Sequence, residues 1–374
     1  MEVFDSIQRS DASPGKHTEG SFEYLNRSSR PECENIRQLM QQWFEEYPQA
    51  EQAELRTRLR IETKFREAWF ELFLHALASR LGASAITHPP LAHTTKAPDF
   101  GLADANGDIS EYLEARVVRG ESVDDRGRQA VINTVYDAIN QLENPDFLIT
   151  IPRLRLVSGR QPSGKLIRKY LQAELSRLDP DRDQLYSPAD YRDKDVEIEF
   201  RILARAPERR GTPGRLLGGY SGGARWGGAM REIKNAVRDK AGRYGKLGKP
   251  FVIALDVASV WFNWHEDTCD ALYGKDCWTE GATYAGDKTG EGIFHGCASG
   301  YSRVSAVLVT DAAPWHVSDA RIRLYHNPYA QHPYEGVLYR LPQARFDDRR
   351  LTSIEGLSLS ELFGLTKRLP YEAS

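Results

Sequence analysis

"KAPDFGLADANGDISEYLEARV", residues 96–117, is the stretch whose reading decides the fold. An Asn-Gly pair sits at its centre between alternating segments, and such a pair signals a hairpin because both residues accept the positive φ of a tight primed turn. A two-residue loop at Asn106 and Gly107 sets Phe100 beside Leu113 and Asp99 beside Glu114. Side chains alternate along a strand. One face therefore carries Phe100, Leu102, Leu113, Ala115 and Val117, and the other carries Asp99, Gly101, Tyr112, Glu114 and Arg116. The first face belongs in a core. On the second, two carboxylates with Cβ atoms about 5 Å apart repel each other unless a cation lies between them. Arg116 or a metal ion would supply that cation.

Upstream, "FREAWFELFLHALASRLG" is apolar nearly all round, with Glu71 and His75 as the strongly polar residues between Ala68 and Ala78. A helix of that kind is buried on most sides. A carboxylate inside it must be paired, bound to a metal or neutralised. His75 one turn on, Arg66 and Lys64 are the local partners for Glu71, and a metal is the alternative.

The chain as a whole has 374 residues, 40% of them hydrophobic, enough for a sizeable core in one large domain or two ordinary ones. A net charge of −3 with 28% charged residues excludes a global basic field, so any polyanion contact must come from local patches. Cys33, Cys269, Cys277 and Cys297 lack close CxxC spacing, which favours reduced thiols and a cytoplasmic location over a disulfide framework. The start, MEVFDSIQRS, has no signal-peptide core, and the longest apolar stretch, 251–262, contains Asp256 and is too short to span a bilayer. No membrane partner is expected.

Residues 1–30 lack periodicity and read as a flexible lead; 31–60 read as two short helices separated at Pro48. From 61 to 152 the order is a long helix (61–81), a strand near 84–88, the hairpin, a helix (127–143) and the strand "DFLITI". That α-β-β-β-α-β order predicts one compact unit of α/β class with a mixed sheet. Residues 153–374 continue the alternation, with a helix near 163–178, "VEIEFRILA", a helix 229–246, "FVIALDV", "RVSAVLVT" and "RIRLYH". They predict an extension of the same sheet.

A helix acid, then Pro98-Asp99, then Glu114-Ala115-Arg116 on the next strand resembles the PD-(D/E)XK nuclease superfamily, with its restriction-endonuclease-like αβββαβ core. Within that superfamily the chain resembles an uncharacterised bacterial branch. The resemblance implies phosphodiester hydrolysis with one or two Mg²⁺ (or Mn²⁺) ions, DNA ahead of RNA as substrate, a bacterial defence or DNA-processing setting, and a homodimer or defence-system partner protein. It implies Asp99 and Glu114 as metal ligands with the Ala115 carbonyl, and Glu71 binding directly or through water. The departure is Arg116, which stands where the family has Lys. A guanidinium stays charged and cannot act as a base, though Arg116 can clamp a phosphate bidentately. Lys96 and Lys240 are the lysines able to take the vacant role. The other reading is a catalytically inactive nucleic-acid or protein-binding module on the same fold, in which Arg116 merely neutralises the two acids; a third places the function, regulatory or toxin-like, in the C-terminal part.

"GGYSGGARWGGA", 218–229, opens a helix but matches neither the P-loop nor the dinucleotide fingerprint. Arg225, Trp226, Arg231, Lys234, Lys240, Arg243 and Lys246, with Tyr220, interleave basic and aromatic residues in a way that can track a nucleic-acid strand; a solvated surface is the plainer reading. His265, Cys269, Cys277, His295 and Cys297 lack the paired spacing of a structural zinc site. His88 and His93, just before the hairpin, are within reach of the acids by sequence.

Overall fold

A computed structural model of the chain describes residues 1–118, 123–183, 187–211, 214–220, 228–257, 264–274, 292–294, 301–347 and 350–366. The chain forms two compact units, one from Met1–Asp11, Ser21–Gly120 and Trp226–Ser374, the other from Ala12–Gly20 and Glu121–Arg225. The first unit begins with α1 (Ser21–Arg27), α2 (Pro31–Glu46), α3 (Gln52–Leu59), α4 (Glu62–Arg80), β1 (Ser84–Thr87), β2 (Phe100–Ala103) and β3 (Ile109–Val118). The second, inserted next, carries α5 (Val123–Asn140), β4 (Phe147–Leu156), α6 (Gly164–Leu175), β5 (Ser187–Arg192), β6 (Val196–Ala204) and β7 (Leu217–Tyr220). The chain then returns to the first with α7 (Gly228–Ala241), β8 (Phe251–Val257), α8 (Trp264–Tyr273), β9 (Ala306–Thr310), β10 (Ile322–His326), β11 (Gln343–Asp347), β12 (Arg350–Ile354) and α9 (Leu359–Phe363).

The class is mixed α/β, as expected. In the first unit the strands run β1-β2-β3-β8-β9-β10-β11-β12; β3, β8 and β9 are mutually parallel, and β2 and β3 antiparallel. Helix α4 packs on one face. Phe65, Trp69, Leu72 and Phe73 are buried there with Phe100, Leu102, Leu113 and Val117, and each such side chain contributes about 1.5–3 kcal/mol when fully buried. The other face carries Tyr112, Ile253 and Leu255 against Ile233, Ala236 and Val237 of α7. A parallel sheet covered on both sides suits the unbroken apolar run "FVIALDV", all seven residues of which are buried.

The second unit has its own sheet, β5-β6-β4-β7. Its buried face, with Ile149, Ile198, Phe200 and Ile202, meets Val135 and Ile139 of α5 and Ile167 and Leu171 of α6. The other face carries exposed cross-strand pairs such as Arg155 with Glu197.

Three sequence expectations change. Residues 153–374 do not all extend the first sheet: β5, β6 and β7 build the separate sheet of the inserted unit, and only the strands from β8 onward continue the first. The helix and strand expected to complete the core at 127–152 do form, as α5 and β4, but they belong to the inserted unit. The pair that continues the first sheet beside β3 is α7 and β8, more than 100 residues later in chain order. The cause is in the strands themselves. β4 alternates buried and half-exposed positions and fits a sheet with one solvated face, whereas β8 is apolar throughout and needs cover on both faces. Nor is the start a flexible lead. Val3, Phe4, Phe22 and Leu25 are buried in the first unit's core, and Arg9 donates to the Asn26 and Asp5 carbonyls.

Candidate acidic site

The hairpin keeps the predicted register where it matters. Phe100 pairs with Leu113, Gly101 with Tyr112 and Leu102 with Glu111; a bulge then separates Leu102 from Ala103. That bulge absorbs a longer loop than predicted. Gly107 has a φ of +86°, but Asn106 does not enter the left-handed region. Instead the Asp104 carboxylate accepts the Asn106 and Asp108 N–H groups at 2.8 and 3.1 Å, and Gly107 N–H bonds to the Asp104 carbonyl. A side-chain-capped turn with one αL glycine thus replaces the primed turn.

Beyond the paired residues, Asp99 meets Glu114 as the register requires. The Asp99 N–H donates to Glu114 Oε2 at 3.2 Å, and the Ala115 N–H donates to Asp99 Oδ2 at 2.7 Å. Glu114 is 1% exposed. Two donors reach it from the far end of α7 and the residues just past it: Lys240 Nζ binds Glu114 Oε1, and Tyr244 Oη donates to Oε2 at 2.6 Å. Lys240 is the penultimate residue of α7 and Tyr244 lies three residues past its end, so this one stretch of chain delivers both groups to the carboxylate.

Lys240, one of the two lysines singled out by sequence, therefore stands where Arg116 was expected. Arg116 points elsewhere. Its side chain is close to half exposed and lies 3.8 Å from Asp239, so it does not neutralise Asp99 and Glu114. Lys96, the other candidate, is exposed and lies outside the cleft; its backbone N–H bonds to Thr94. Burial first, then the neighbouring Glu114 charge, pushes the Asp99 carboxyl up to about 6, against the opposing pull of the Ala115 N–H and the Lys240 ammonium. Burial, followed by the bond to Glu114, raises the Tyr244 hydroxyl far above its usual range.

Glu71 is in the same cleft, whose lining of about 160 Å³ includes Glu67, Glu71, Asp99, Ala115, Arg116 and Lys240. Its partner is none of those proposed locally. Arg58 of α3 grips both oxygens, Nη1 to Oε1 at 2.7 Å and Nη2 to Oε2 at 2.6 Å. His75 packs instead on Tyr47 and Phe100, and Arg66 binds the fully buried Asp256 with two bonds of 2.5 and 2.6 Å. Glu71 is thus an ion-paired acid lining the same cleft as Asp99, its carboxylate held by Arg58. Sequence reasoning missed Arg58, Glu67 and Tyr244. The i,i+4 spacing of Glu67 with Glu71 and of Lys240 with Tyr244 was a usable signal; Arg58 had none, because α3 reaches α4 only through the tertiary fold.

The histidines stay apart from the acids. His93 Nε2 is 2.7 Å from the Tyr244 carbonyl, and His88, with φ +44°, faces Glu51 at 3.8 Å. Arg225 and Trp226 lie outside the described residues, as do Cys277, His295 and Cys297. Arg243 is exposed and lies over the Tyr244 ring. Among the described residues no group of three or more His, Cys, Asp or Glu side chains is placed to hold a metal on its own, and no helix is long and apolar enough to cross a membrane.

No protein-family model matches the chain, and neither a similar curated protein nor a similar solved structure was found.

Proposed function

We propose that this chain is a metal-dependent nuclease of the PD-(D/E)XK type, hydrolysing phosphodiester bonds with DNA preferred over RNA. The observation that carries the reading is Lys240 on Glu114 beside Asp99: a lysine from α7 restores the acid-acid-lysine constellation that Arg116 interrupts in the sequence.

The donor set fits a divalent ion in one respect and departs in another. Asp99 and Glu114 lie side by side across the hairpin, and the Asp99 carboxyl is raised first by burial and then by the Glu114 charge, both of which a bound cation would offset. An ionised carboxylate offers about four lone-pair sites, so Glu114 retains acceptor capacity beyond Lys240 and Tyr244. With Glu71 held by Arg58, Asp99 and Glu114 are the residues that would hold a divalent ion, and Mg²⁺, which keeps several waters, suits so few protein ligands. When bound, Mg²⁺ or Mn²⁺ lowers the pKa of a water and stabilises charge on the leaving oxygen.

The chain's own residues do the rest. Tyr244 and Lys240 hold the Glu114 carboxylate in one orientation, and the Ala115 N–H anchors Asp99. The Lys240 ammonium sits in the cleft where it can orient an attacking water and offset phosphate charge. Arg116, exposed at the rim, is free to swing from Asp239 to a phosphate, a contact its planar fork suits.

The test is cleavage of labelled single- and double-stranded DNA and RNA with Mg²⁺, Mn²⁺ or EDTA. Wild type cuts in a cation-dependent way, and Asp99→Ala and Lys240→Met each lose at least about a hundredfold in rate, the scale of one general acid-base or electrostatic contribution. The binding-module reading draws on one observation, that both Glu114 oxygens are already satisfied within the chain. Nucleic-acid binding with no cutting under any cation would decide for it.

A further inference from the structure

A second concavity lies past the end of α7, in the loop "GRYGKLGKP" of the first unit. It has a volume of about 100 Å³, and Tyr244, Lys246, Lys249, Phe251, Arg303 and His332 are among its lining residues, with no acid among them. Lys249 donates to the Ile109 carbonyl. Lys246 is exposed and Arg303 half-buried, and neither has a side-chain partner among the described residues. Arg58, Arg66 and Arg155, by contrast, are each held by a carboxylate. Basic groups gathered in one concavity without counter-charge repel one another, and an anion removes that cost. The space is that of about three waters, enough for one tetrahedral oxyanion and too small for a nucleobase with its sugar.

Tyr244 links this pocket to the acidic site. Its hydroxyl binds Glu114, its ring meets Phe251 edge-on at 5.9 Å, and both rings line the pocket. The pocket and the acidic site thus lie on either side of one residue, Tyr244, close enough for a single strand to be asked to meet both.

We propose that this pocket is a phosphate-binding subsite that takes a backbone phosphate adjacent to the one in the acidic cleft; the choice of a nucleic-acid strand as its source rests on the nuclease reading above. The phosphate group is the recognised chemistry, and a free phosphate compound is the other source the experiment separates.

Anisotropy titrations of labelled single- and double-stranded oligonucleotides, with EDTA to prevent cutting, compare wild type, a Glu197→Ala control in the inserted sheet and a Lys246→Ala/Arg303→Ala double variant whose fold is verified by circular dichroism. The double variant binds at least about tenfold more weakly and its salt-dependence slope drops by about 1, while Glu197→Ala keeps wild-type affinity. Equal affinity and slope in wild type and double variant overturn the subsite. If wild type binds no oligonucleotide, the nucleic-acid reading falls, and thermal shifts with pyrophosphate and inorganic phosphate judge the pocket separately. A rise in midpoint for wild type but not the double variant supports a pocket for free phosphate compounds; matching behaviour overturns it.

Discussion

The two sheets of this protein treat charge in opposite ways. In the inserted sheet, β6 reads Val-Glu-Ile-Glu-Phe, its apolar residues buried and its acids turned outward, where Glu197 and Glu199 pair with Arg155 and Arg153 of β4. In the first sheet both faces are covered, and the acids on β3 and β8 have no water to turn to. Glu111, Glu114 and Asp256 are each 1% exposed or less. Each is met by a specific partner: Val337 N–H at Glu111, Lys240 and Tyr244 at Glu114, Arg66 at Asp256. A charge that alternates with apolar residues is a solvated face; a charge inside a doubly covered strand must be answered by another element, and there chemistry collects.

Truncating a partner in each sheet breaks or sharpens this contrast. Glu114→Ala leaves the Lys240 ammonium buried without its counter-ion and should cost about 3–5 kcal/mol of unfolding free energy, read from urea denaturation. A loss below about 1 kcal/mol would remove the distinction between the two sheets.

The next effect is a gain. The folded Asp99 carboxyl titrates near 6 against 3.8 for the ordinary group. Unfolded chains therefore ionise first, and without divalent cations the fold loses stability as pH rises from about 4 to about 6, the loss being complete above the folded value. Asp99→Asn keeps an oxygen for the Ala115 N–H and removes this penalty. It should stabilise the cation-free protein by about 1–3 kcal/mol above pH 6 and by nothing below about pH 4. Destabilisation at pH 8 would show that Asp99 is not a strained, cation-seeking acid. The smallest effect belongs to the inserted sheet: Glu197→Ala removes an exposed pair with Arg155, and its denaturation midpoint should coincide with that of wild type.

Much of this was legible in the residues. The alternation of 99–117 predicted which side chains face each other across the hairpin, because a strand's period of two ties face to position. The apolar circumference of 65–81 predicted a buried helix carrying Glu71, and the run at 251–257 a strand of the same sheet. The turn was misread because Asp104 reaches forward to cap it, a side-chain bond that the Asn-Gly pair conceals.

By itself, then, the sequence determined elements, faces and the Asp99–Glu114 pair, all properties of local periodicity. Only the tertiary structure decided which helix and strand complete the first sheet, which cation answers Glu114 and which answers Glu71. Lys240 lies 126 residues from Glu114, and Arg58 is on a different helix from Glu71. Such partners are chosen by the cost of leaving a buried charge alone, and that cost exists only once the surrounding elements have closed over it.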